Sequence, residues 1–255
     1  MRRRLFAEFL GALLLAAAVV GSGIMGENLA QGNDALALLA NTGATAAVLA
    51  VLIATLGPVS GAHFNPAVSL IALVRRQLSP SQTAGYVAVQ VLGCCAGAWL
   101  AHAMFGLPLL QSSMRERTGL GQWLSEFVAT GGLILVIARC REPAAMAWRV
   151  ALWIGAAYWF TASTSFANPA ITIARSMTAT FSGIRPRDVP AFIVAQLAGA
   201  ACGVLLARLL ANRDGGARGP NRTDTFLRTA DFESAASTSS ATRACGRGAQ
   251  MVSDN

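Results

Sequence analysis

Lysine is absent. All 20 basic residues of this 255-residue chain are arginine, against 12 acidic residues, and charged residues make up only 13% of it. A soluble domain carries about 25%, so too little charge is present to coat a large solvated surface. The net charge of +8 would suit nucleic acid if the arginines clustered on one face. They instead flank long uncharged stretches, which is the pattern of a membrane protein, and no nucleic-acid partner is expected.

Metal ligands and redox pairs are also scarce. There are five cysteines with no C-x-x-C spacing and two histidines, His63 and His102. That excludes the usual zinc spacings and a disulfide framework, and neither a metal nor a cofactor is expected. Cys94, Cys95 and Cys202 lie inside apolar stretches and read as small packing residues. No aspartate falls in any apolar run and no nucleophile–base pair is apparent, so an enzyme is disfavoured. An ion channel or secondary transporter needs charge along its pathway, and only Glu8 and Glu126 interrupt the runs with an acid.

What the chain has in abundance is hydrophobic sequence, 54% of it. A membrane-crossing helix needs roughly 20 such residues. The runs 5–25, 35–59, 82–106, 122–138, 150–164 and 189–210 are expected to cross. The first reads as a retained helix rather than a cleaved leader. Two further apolar pieces, 66–74 and 169–181, are too short to cross. They suit re-entrant segments, which survive at membrane depth only inside protein or beside a wet cavity. Six crossings put both termini on one side. Ten arginines flank that side, and five (Arg115, Arg117, Arg175, Arg185 and Arg187) flank the other. The termini are therefore expected to be cytoplasmic. Residues 213–255 are rich in Gly, Ser, Thr, Ala and Arg and are expected to be a disordered tail, with 225–232 a candidate docking segment.

Residues 1–212 contain a repeat. "AEFLGALLL" (7–15) parallels "SEFVATGGLIL" (125–135), and "QVLGCCAGA" (90–98) parallels "QLAGAACGV" (196–204). Between them, "SGAHFNPAVSL" (60–70) parallels "STSFANPAITIAR" (163–175). The halves run from about 1 to 110 and from 120 to 212. Three crossings per half invert the second copy, and inverted repeats place their site near the midplane. In each Asn-Pro-Ala, Pro66 or Pro169 suits the first helical position and Asn65 or Asn168 suits the N-cap, with Ala67 and Ala170 next in the helix. Two helix starts would face each other there and put positive potential at the centre. Such a site favours neutral hydroxyl solutes and repels cations and protons.

Two Asn-Pro-Ala motifs, paired Glu8 and Glu126, and Gly-rich third and sixth crossings resemble the aquaporins, or major intrinsic proteins. The resemblance covers about 1–212. It implies an all-α membrane protein of six transmembrane helices and two re-entrant half-helices, one pore per subunit, in a homotetramer set in membrane lipid. It implies that Glu8 and Glu126 accept hydrogen bonds from the re-entrant loops, with His63 structural beside the pore. The family's usual Arg after the second motif is Ile171 here, and the Asp that follows it in glycerol channels is Thr172. Counted without gaps, the family's filter positions fall on Thr45, Ala156, Ser165 and Ile171. Small walls imply a wide filter and a passive channel for small uncharged solutes, with a water-selective pore as the alternative. The stretch 168–190 also resembles a bacterial aquaglyceroporin-like subgroup associated with arsenic resistance, which adds arsenite or methylated arsenicals to glycerol-like polyols and water as expected solutes. Arg175, one turn beyond Ile171 on the same helix face, is a candidate to guard the outer vestibule, the alternative being that loop carbonyls or the helix C-terminus hold it.

Overall fold

The computed structural model describes residues 1–211; the expected tail and its candidate docking segment lie outside the described residues. Eight α-helices follow one another: α1 (Arg2–Leu29), α2 (Asp34–Ser60), α3 (Pro66–Val74), α4 (Pro80–Met104), α5 (Leu120–Arg139), α6 (Pro143–Phe160), α7 (Pro169–Arg175) and α8 (Val189–Leu209). No strand occurs among the described residues. Five of the helices are long and apolar enough to cross a membrane. Arg149 and three tryptophans lower the hydropathy of α6, which packs against α2 and α5 as the sixth long helix.

Local chemistry explains the helix starts. Asn33 accepts from the N–H groups of Ala35 and Leu36. Ser79 and Gln82 form a reciprocal capping box ahead of Pro80, which satisfies donors the helix itself leaves free. Two boundaries differ from expectation. α6 begins at Pro143 rather than near 150, because proline at the first helical position starts it within the Arg-bearing segment. α7 stops at Arg175 rather than near 181, and the chain then turns back on itself.

The halves are built alike. α1 packs along α4, and α5 along α8. Both seams depend on glycine. A methyl group at Gly97 would stand 2.2 Å from the Leu13 carbonyl oxygen, and one at Gly203 would stand 2.3 Å from that of Gly131. Small residues let membrane helices approach to backbone contact, where packing rather than water exclusion holds them together. Cys94, fully buried on α4, is a packing residue whose thiol meets the Ala12 carbonyl at 3.6 Å. The short helices α3 and α7, one from each half, touch each other inside the bundle.

Candidate functional site

The two Asn-Pro-Ala units meet at the centre. Asn65 caps α3, its side-chain oxygen accepting from the Ala67 N–H at 2.9 Å. Asn168 caps α7 by accepting from Ala170 at 3.0 Å and Ile171 at 3.4 Å. Each amide nitrogen then crosses to the opposite loop. Asn65 Nδ2 donates to the Ala167 carbonyl and Asn168 Nδ2 to the Phe64 carbonyl, both at 2.8 Å. One proton on each amide nitrogen is thereby committed, and one is left over.

The loops that lead into these caps are strained in the same pattern. Ala62 and Phe64 have φ of 48° and 47°, and Ser165 and Ala167 have φ of 49° and 48°. Left-handed backbone is uncommon for such residues and must be held by its surroundings. The holding groups are two buried carboxylates. Glu8 accepts from the N–H groups of His63 and Phe64 and from Ser60 Oγ and Gln90 Nε2, at 2.6–2.9 Å. Glu126 accepts from the N–H groups of Phe166 and Ala167 and from Gln196 Nε2, also at 2.6–2.9 Å. Gln90 reaches on to Ser69, and Gln196 reaches on to Thr172. Both acids are fully buried, and each occupied donor offsets the cost of burying the charge. His63 bonds Ser69 Oγ through Nδ1 at 3.1 Å and packs edge-on to Tyr86.

A cavity of about 80 Å³ is lined by both caps, enough for several waters at the roughly 10–15 Å³ that one requires. Thr45, His63, Asn65, Ser165, Asn168, Ile171 and Arg175 all line it. No aspartate or glutamate does.

Ala156 does not line it. The residue is exposed on the outer face of α6, and the expectation of a bare alanine in the filter is corrected. The lining residues of α6 are Met146, Val150, Ile154 and Tyr158, one per turn of a single face. Trp153 fixes that rotation. Its Nε1 donates to the Ala129 carbonyl at 2.9 Å, and its ring occupies the space above Gly132 of α5. The phenol of Tyr158 therefore stands beside Thr45 on the cavity wall, its hydroxyl 3.4 Å from Thr45 Oγ1.

Arg175 is 2% exposed. Its Nε donates to the Ser182 carbonyl, its guanidinium carbon stands 3.4 Å from the centre of the Phe166 ring, and its Nη1 has no partner among the described residues. A second buried arginine, Arg117, reaches the same ring from 5.1 Å and donates to the carbonyls of Gly183 and Ser163. Its backbone N–H is held by Asp188. Neither guanidinium takes part in a salt bridge among the described residues. By sequence alone Arg117 reads only as a flanking charge of the outer side. A lone arginine in a polar loop carries no local signal that it turns inward.

The major intrinsic protein family model matches residues 1–143 and 113–244. The chain belongs to the major intrinsic protein family. Among its relatives is aquaglyceroporin AqpS of Rhizobium meliloti (strain 1021), 57% identical over 212 residues, which span 82% of this chain and 91% of that protein. Aquaporin A of Dictyostelium discoideum is 32% identical over 179 residues, 64% of each chain. In fold, the chain resembles the crystal structure of the aquaglyceroporin from Plasmodium falciparum, with a TM-score of 0.65 and 19% identity over 82% of this chain and 94% of that one. This member of the major intrinsic proteins carries Ile171 directly after its second Asn-Pro-Ala. Arg175, one helical turn later, also lines the cavity.

Proposed function

We propose that residues 1–212 form a passive channel for small uncharged solutes, water and glycerol-like polyols among them. The observation that carries this reading is the meeting of two capped helix starts in a cavity with no acidic lining. Positive helix ends oppose cations and protons, while the spare proton on each Asn amide can meet a passing oxygen. In this reading Asn65 and Asn168 orient the solute. Thr45, Ser165 and Ile171 form the narrow region, and Arg175 guards its outer side. Glu8, Glu126 and His63 hold the loops. Four subunits would assemble in the lipid of a bacterial inner membrane, with the termini in the cytoplasm. The resemblance over 168–190 supports neutral arsenic hydroxides and methylated arsenicals as further solutes. Tyr158 supports a second reading, a narrower water-selective pore, because its ring fills space that an alanine would leave open.

Stopped-flow swelling of proteoliposomes with water, glycerol and arsenite, beside a current recording, tests both. Solute flux without current supports the channel, water flux alone supports the second reading, and current overturns both. Arg175→Ala adds to the test. A guard role predicts a cation leak in well-folded protein, and a structural role predicts lower folded yield with selectivity intact.

A further inference from the structure

A second cleft, of about 390 Å³, opens where α1 and α4 end and the segments 107–111 and 179–180 meet them. Its volume lies within the roughly 300–1,000 Å³ of small-molecule sites. None of its lining residues lines the central cavity. Its polar walls are Glu27, Asn28, Gln111 and Thr180, and no arginine or histidine lines it. The walls are tied in place. Gln111 donates to the Pro108 carbonyl at 2.8 Å and accepts from the Ala179 N–H at 2.9 Å, and Thr180 bonds Thr178 through its hydroxyl. Glu27 stands where its own helix disfavours it. It lies in the last turn of α1, which carries no basic residue there, and the negative end of a helix favours a cation over a carboxylate. One carboxylate oxygen accepts from the Phe181 N–H at 3.1 Å, yet Glu27 joins no salt bridge among the described residues. Arg115 turns instead to the Phe181 carbonyl and ring. α4 brings a second negative helix end to the cleft, with Phe105 just past its last turn. Phe105 and Leu107 form apolar wall, which an alkylated ammonium can use and a metal ion seeking oxygen ligands cannot.

We propose that this cleft between the ends of α1 and α4 is a binding site for small organic ammonium ions. The chemical class is that of quaternary and alkylated amines. The positive nitrogen meets the Glu27 carboxylate and the two helix ends, and its carbon substituents lie on Phe105 and Leu107. A lone carboxylate–cation contact near a surface contributes little. Here the helix ends and the apolar wall act on the same ion and add to it. The site lies apart from the central cavity, so it stands or falls independently of the channel reading.

Equilibrium dialysis of the full chain in detergent against choline, at fixed ionic strength and corrected for protein-free micelles, tests this. The control is dimethylbutanol, the uncharged carbon isostere of choline. Saturable binding of choline is expected, at least about threefold tighter than that of the isostere. Glu27→Gln should remove this preference, while its amide oxygen can still accept from Phe181. Asp34→Asn neutralises an exposed acid that does not line the cleft and should stay within about twofold of the parent. Asn28→Trp, at an exposed position of the last turn of α1, sets an indole in the cleft and should abolish binding. Elution profile and thermal unfolding confirm that the variants fold. Choline that does not saturate, or that binds no better than the isostere, overturns the site. So does a folded Glu27→Gln within about twofold of the parent, or an Asp34→Asn as damaging as Glu27→Gln. If Glu27→Gln does not fold, Asn28→Trp decides, and choline bound by it as by the parent overturns the site. Binding is read without any flux, so none of these results bears on the channel.

Discussion

The side-chain amide of Asn65 donates to the backbone carbonyl of Ala167, 102 residues along the chain, at 2.8 Å. Asn168 returns the bond to Phe64 at the same distance. The two halves are thus latched at the point where their short helices begin, and each asparagine both caps its own helix and ties down the other loop.

An aspartate at either position removes the crossing donor and sets a carboxylate against a carbonyl. Asn65→Asp and Asn168→Asp are each expected to destabilise the fold by about 1–3 kcal/mol, the cost of a broken buried bond. They are also expected to admit cations, because the new charge offsets the positive helix ends. Thermal unfolding in detergent reads the first effect and vesicle current the second. An unchanged melting temperature would contradict the latch.

The two carboxylates are expected to be indispensable and unequal. Glu8→Gln sets an amide N–H₂ among four donors, and Glu126→Gln does so among three. A charged-group hydrogen bond contributes about 1.5–3 kcal/mol, so both variants should lose most of their folded yield, Glu8→Gln the more. Monodisperse yield by size-exclusion chromatography checks the order.

The glycine seams predict a matched pair. Gly97→Ala and Gly203→Ala place a methyl group 2.2 Å and 2.3 Å from backbone oxygens, so the helices must part. Each should cost at least about 2 kcal/mol, as overpacking does. Gly43→Ala, with open space around the new carbon, should fall within about 1 kcal/mol of the parent. A Gly97→Ala protein that melts with the parent would show that α1 and α4 do not depend on this contact.

Ala156→Phe should leave the ratio of glycerol to water flux as it is, because the residue faces away from the cavity. Ile154→Phe, on the lining face, should lower that ratio. The opposite result would mean that α6 is rotated by about 200°, two residues at about 100° each.

Much of the fold could be read without coordinates because its signals are local. Uncharged runs mark the crossings, proline and asparagine mark helix starts, and two glutamates within apolar sequence announce that something must satisfy them. Each of these depends on a residue and its near neighbours, and the repeat shows each of them twice. The rotation of α6 is another matter. Counting back from Asn168 reached Ala156, but which side of a helix faces the cavity is set by what its other sides touch. Here Trp153 seats over Gly132 and bonds Ala129 on α5, and that contact brings Tyr158 to the cavity wall. Arg117 likewise turns inward because Phe166 and the carbonyls of Ser163 and Gly183, distant in sequence, await it. Sequence by itself determined most of the helices, the two Asn caps of the short ones and the inverted pairing of the halves. Tertiary structure alone decided which side chains meet the solute, because a helix's rotation follows from contacts made across the whole bundle.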